Sequence, residues 1–82
     1  MIIKKVFTMM VKSLLGKRVY DVDAREMGKV HDVEFDATTY AITALEVHKG
    51  FRTSVLVSMD KVSKLGDSVI LNVTSEDLLV QD

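Results

Sequence analysis

The chain has 82 residues, 48% of them hydrophobic, and 11 basic against 12 acidic side chains give a formal charge of −1. That length holds one domain with a modest core, and the hydrophobic fraction excludes a disordered chain. The charge balance argues against a dedicated nucleic-acid binder, which needs a basic excess, and the absence of cysteine excludes disulfides and thiolate metal sites.

From the N-terminus, Lys4, Lys5 and Lys12 interrupt the apolar residues of the first 15 positions. The stretch from Val6 to Val11 is too short for a signal core or a membrane span, so stable membrane insertion is not expected and a cytoplasmic location is. Ile2, Ile3, Val6, Phe7, Met10 and Leu14 follow helical spacing in part, which suits either an amphipathic helix or an edge strand. Residues 1–13 therefore read as an N-terminal segment and a possible interface, and residues 14–82 as the domain proper.

Short strands follow. Lys17 to Val22 is rich in β-formers, and Asp23 to Glu26 is a polar turn. Met27 to Phe35 makes a second strand whose apolar residues, Val30 and then Val33 and Phe35, step once by three, which predicts a bulge near Asp32. Tyr40 to His48 makes a third, with Ile42, Leu45 and Val47 inward and a second bulge near Ala44. Lys49-Gly50-Phe51-Arg52 is a hairpin tip leading into a fourth strand, Thr53 to Val57.

Ser58 to Gly66 reads differently. Met59, Val62 and Leu65 have the spacing of one helix face, which predicts a helical turn capped by Ser58 and ended by Gly66. Asp67 to Thr74 is a fifth strand with clean alternation, and Leu78-Leu79-Val80 is an apolar tail. Five or six strands, tight turns and one helical turn define a small all-β barrel.

The order of these signals from Leu14 to Leu71 resembles the PRC-barrel family. The resemblance is carried by Leu15-Gly16, Val19-Tyr20-Asp21, Gly28-Lys29-Val30 with Asp32 and Asp36, then Ile42, Leu45 and Val47, and finally Val55 to Val57, Val62 and Gly66-Asp67. Two positions depart from the pattern: Ala24 stands where the family usually has Gly, and Ser58 where it often has Pro. The family includes the cytoplasmic barrel of the photosynthetic reaction-centre H subunit, the C-terminal domain of the ribosome maturation factor RimM, and stand-alone proteins chiefly in archaea, which this chain is similar to. The resemblance implies a docking module for protein or ribonucleoprotein partners, with no catalytic residues and no cofactor to carry over.

The candidate sites are few. Lys49, Phe51 and Arg52 at the hairpin tip form the expected partner-binding group, since a Phe between two cations can fill a partner's pocket or stack on a base. Binding of RNA or a ribosomal particle through that tip is the alternative to a protein partner. Ile2, Val6, Phe7, Leu78, Leu79 and Val80 are the expected homodimer interface. A hard-cation site at Asp32, Glu34 and Asp36, and a metal pair at His31 and His48, are the sharp readings of the polar residues. Solvated barrel faces are the bland ones, and they are preferred, so no metal is assigned. Ser54, Ser58, Ser63 and Ser68 lack a nucleophile-elbow context, and an enzyme is not expected.

Overall fold

The computed structural model describes residues 8–50 and 53–79. Six strands, β1 (Arg18–Tyr20), β2 (Glu26–Phe35), β3 (Ile42–Lys49), β4 (Thr53–Ser58), β5 (Val62–Leu65) and β6 (Val69–Leu71), form one sheet in the order β4-β3-β2-β1-β6-β5. All neighbours are antiparallel except β1 and β6, which are parallel. Two short helices, α1 (Val11–Leu14) and α2 (Ser75–Leu79), flank the strands.

One buried cluster takes Val19, Val30, Leu45, Val47, Val57, Val69 and Leu71 from five different strands, and α1 and α2 add Leu14 and Leu78 to it. A sheet that buries one face in a single cluster has to curl around that face, which is how a small barrel is built. No aromatic side chain is among the buried core residues described. Phe35 and Tyr40 stay exposed.

Bulges produce the curl. Val30 pairs with Val47 and Asp32 with Glu46, so His31 is the extra residue on β2. Further along, Glu34 pairs with Ala44 and Phe35 with Ile42, which leaves Thr43 extra on β3. Both lie one residue from the positions that the apolar spacing predicts. An added residue shifts the alternation by one, so Val30 and Val33, like Ile42 and Leu45, face inward across a three-residue step.

The helical turn expected over Ser58 to Leu65 is corrected by the same device. Only Met59–Lys61 is helical, as a 3-10 turn, and Val62–Leu65 is strand β5. Val62 pairs with Leu71, Lys64 with Ile70 and Leu65 with Val69, so Ser63 is a third bulged residue. Its presence gives Val62 and Leu65 the spacing of a helix face while they point from a strand into the barrel. The strand expected from Asp67 to Thr74 is shortened to Val69–Leu71. Asn72 leaves the ladder, giving its backbone N–H to the Lys61 carbonyl and its side-chain amide to that of Asp60. The first strand is shortened as well, because Asp21 belongs to the turn.

Asp21 is almost fully buried and closes two elements at once. Its Oδ1 accepts the backbone N–H groups of Asp23 (2.9 Å) and Arg25 (2.8 Å), and its Oδ2 accepts that of Ser75 (3.0 Å) at the start of α2. The turn it shapes carries Ala24 at φ 66°, the left-handed conformation that glycine takes without strain.

Burial pushes the Asp21 carboxyl up. The N–H donors of Arg25, Ser75 and Asp23 together outweigh burial, and its pKa lies below the ordinary 3.8. A folded-state pKa below the unfolded one stabilises fully above the unfolded value, and the stabilisation is lost as pH falls through the folded value. Asp21→Asn should therefore lower Tm by several degrees near neutral pH, because one amide oxygen cannot replace two carboxylate oxygens. The gap to the parent chain should close below about pH 4 in thermal melts followed by circular dichroism. A gap that stays constant down to strongly acidic pH would contradict this role.

Candidate functional site

The outer face of β2, β3 and β4 carries a polar group that the third-strand alternation sets up. Leu45 and Val47 point inward, so Glu46 and His48 point outward, and Ser54 lies opposite His48 on β4. His31 joins them because it is the bulged residue of β2. The ladder position beside Glu46 belongs to Asp32, and His31 is displaced alongside it on the same outer face.

The two imidazoles stack, with centroids 3.8 Å apart and planes 6° from parallel. His31 Nδ1 lies 3.0 Å from Glu46 Oε1, and His48 Nε2 lies 3.6 Å from Glu46 Oε2. The Ser54 hydroxyl donates to Glu46 Oε2 at 3.0 Å. The hydrogen bond to His31, then the one from Ser54, hold the Glu46 carboxyl below its ordinary range against the opposing effect of burial. Ser54 gives its proton to a carboxylate and not to an imidazole, so the group lacks the hydroxyl–imidazole–carboxylate order of a nucleophilic triad.

The bulge of β2 thus brings His31 to His48. Glu46 is the residue that sequence reading missed. Its signal was present: it alternates outward with His48, two positions away on the same strand.

The carboxylates of the hard-cation reading do not converge. Asp32 Oδ1 accepts the Val33 N–H at 2.8 Å, Glu34 Oε1 accepts the Thr43 hydroxyl at 2.7 Å, and Asp36 Oδ1 accepts the N–H groups of Thr38 and Thr39. Asp32 is thus occupied by its neighbour on β2, Glu34 by the bulged Thr43 of β3, and Asp36 by the turn that follows β2. Among the described residues, only His31, Glu46 and His48 group as metal-ligating side chains.

At the hairpin tip, Lys49 is exposed at the end of β3, and Gly50 takes φ 71°. Phe51 and Arg52 lie outside the described residues, as do Ile2, Val6, Phe7 and Val80 of the expected interface. Leu78 is 3% exposed and packs in the barrel's own core, so it is not free to meet a second chain. Leu79 is the last residue of α2.

An apolar groove of about 450 Å³ opens between α1 and the β5 end of the sheet. Met9, Met10, Val11 and Leu14 line one side, and Ile42, Met59, Val62 and Leu65 the other. Beside it Met10 is 75% exposed and Val11 46%, large values for apolar side chains. No helix among the described residues is long and apolar enough to cross a membrane.

A curled six-stranded sheet with bulged strands and one parallel β1–β6 pair defines the chain as a small all-β barrel protein. The family model of the PRC-barrel domain matches residues 8–78, and the chain belongs to that family. The match confirms the resemblance drawn from the strand motifs, and it takes in both α1 and most of α2. No curated protein matches the chain.

Proposed function

We propose that this PRC-barrel is a non-enzymatic interaction module that self-associates and docks to a protein complex through the apolar groove beside α1. The observation that carries the reading is the groove itself. It is lined by side chains from α1, β3, the 3-10 turn and β5, and Met10 and Val11 stand exposed beside it. Membership of a family of interaction and assembly domains supports the same conclusion. A groove of this size accepts a few apolar side chains of a partner, with β5 offering an outer strand edge beside it.

Light scattering on the purified chain tests self-association, and Met10→Asp tests the surface. The substitution places a charge on an exposed position, so the fold should survive and the dimer should dissociate by at least about tenfold in Kd. The same variant should lose the proteins that the parent chain retains from extracts of its host. A parent chain that stays strictly monomeric at high concentration, or a Met10→Asp variant that associates as well as the parent, overturns the groove as the docking surface.

A further inference from the structure

We propose that His31, Glu46 and His48 form a surface binding site for a borderline divalent transition-metal ion of the Zn²⁺ type. Their ligating atoms, two imidazole nitrogens and a carboxylate oxygen, all lie within 4.8 Å of one another. In a tetrahedral site with bonds near 2 Å the ligand atoms stand about 3.3 Å apart. His31 Nδ1 lies 3.0 Å from one Glu46 carboxylate oxygen and His48 Nε2 lies 3.6 Å from the other, so each ring stands near that spacing from its own oxygen. Two nitrogens and one oxygen suit Zn²⁺, Ni²⁺ or Cu²⁺, whereas Mg²⁺ and Ca²⁺ prefer all-oxygen sites.

The surroundings fit a cation. Among the described residues, Glu46 meets no lysine or arginine, and its partners are two imidazoles and one hydroxyl. The carboxylate therefore brings a negative charge that no lysine or arginine among the described residues neutralises. Ser54 orients the carboxylate, the role that an outer-shell hydroxyl plays at metal sites.

One adjustment is needed. Parallel rings cannot both hold an ion in their planes, so the imidazoles have to splay apart on capture. His31 is exposed with a side chain 59% accessible and His48 is partly so, which leaves both rings room to rotate. The protein then supplies three ligands, and the fourth position takes water or a group from elsewhere. The site shares no residue with the apolar groove, so either can fail without the other.

Titration of the full chain with Zn²⁺, followed by calorimetry and by the NMR signals of the imidazoles, tests the site. One Zn²⁺ per chain is expected, with His31 and His48 signals shifting together and Mg²⁺ producing no change. His48→Ala and Glu46→Gln should each abolish binding while leaving the circular dichroism spectrum unchanged. Ser54→Ala should weaken binding about tenfold. The absence of saturable Zn²⁺ binding by the parent chain, or binding that survives both Glu46→Gln and His48→Ala, overturns the proposal.

Discussion

Gly28→Ala is expected to leave little or no folded protein. A Cβ built at Gly28 would stand 2.1 Å from the His48 carbonyl oxygen and 2.7 Å from its carbon, inside any van der Waals separation. The obstacle is backbone of the neighbouring strand β3, so no side-chain rotation relieves it. The backbone itself adds a second cost: φ at Gly28 is 135°, where an L-residue is strained. Gly28 stands opposite Val19 on β1, next to the bulged Met27. An overlap with rigid backbone belongs with the largest single-site effects, above about 4 kcal/mol. A domain of this length has only roughly 4–12 kcal/mol of net stability. Thermal melts should show Tm lower by at least about 15 °C, or no cooperative transition. A variant melting within a few degrees of the parent would show that β2 and β3 do not approach as described. The same contact sets the height of His48 on the outer face, so a folded Gly28→Ala chain would also have a displaced imidazole pair.

Leu45→Ala ranks second. Leu45 is 0% exposed and pairs with Val33 on β2 and Val57 on β4, at the centre of the larger half of the sheet. Cutting a fully buried leucine to alanine costs about 2–5 kcal/mol, from lost transfer energy and the cavity left behind. The neighbours belong to three hydrogen-bonded strands that cannot collapse inward, so a value of about 3–4 kcal/mol is expected. Urea unfolding should show a lower midpoint with the slope unchanged, since the surface exposed on unfolding barely alters. Leu56→Ala is the built-in control. Leu56 lies opposite Glu46 on the outer face, is 55% exposed, and should change stability by less than about 0.5 kcal/mol. Similar losses from both leucines would mean that the inward face of β3 and β4 is wrongly assigned.

The strands were legible because their apolar residues alternate, and two bulges were legible because the alternation slips. Val30 to Val33 and Ile42 to Leu45 each step by three, and each spans a bulge. Val62 to Leu65 has the same step for the same reason, yet from the residues alone it matched a helix face. A three-residue apolar step is common to a helical turn and a bulged strand. Only pairing with β6 separates the two, because Val62 and Leu65 are matched by Leu71 and Val69 across the ladder. The strand at Val69 was overextended for a related reason: Asn72 and Val73 keep the alternation after the ladder has ended.

The group of His31, Glu46 and His48 was half legible. His31 and His48 stood out in the sequence as a pair. The outward place of Glu46 was legible from the alternation, but its meeting with His31 depends on the register: Asp32, not His31, is its ladder partner, and His31 reaches it only from the bulge. Asp21 was recognised as part of the Val19-Tyr20-Asp21 motif. Its bond to Ser75 spans 54 positions, a distance at which local patterns carry no information.

The resemblance to the PRC-barrel family, the aliphatic core and the alternation that sends Glu46 and His48 outward while Leu45 and Val47 turn inward were all determined by the sequence alone. These follow from side-chain chemistry and a period of two, both of which are local. Strand register, the parallel β1–β6 pairing and the convergence of His31, Glu46 and His48 were decided only by the tertiary structure. So was the absorption of Leu78 into the core, where an interface had been expected. Each of these depends on which backbone groups distant in the chain pair with one another, and one residue of register moves a side chain to the opposite face.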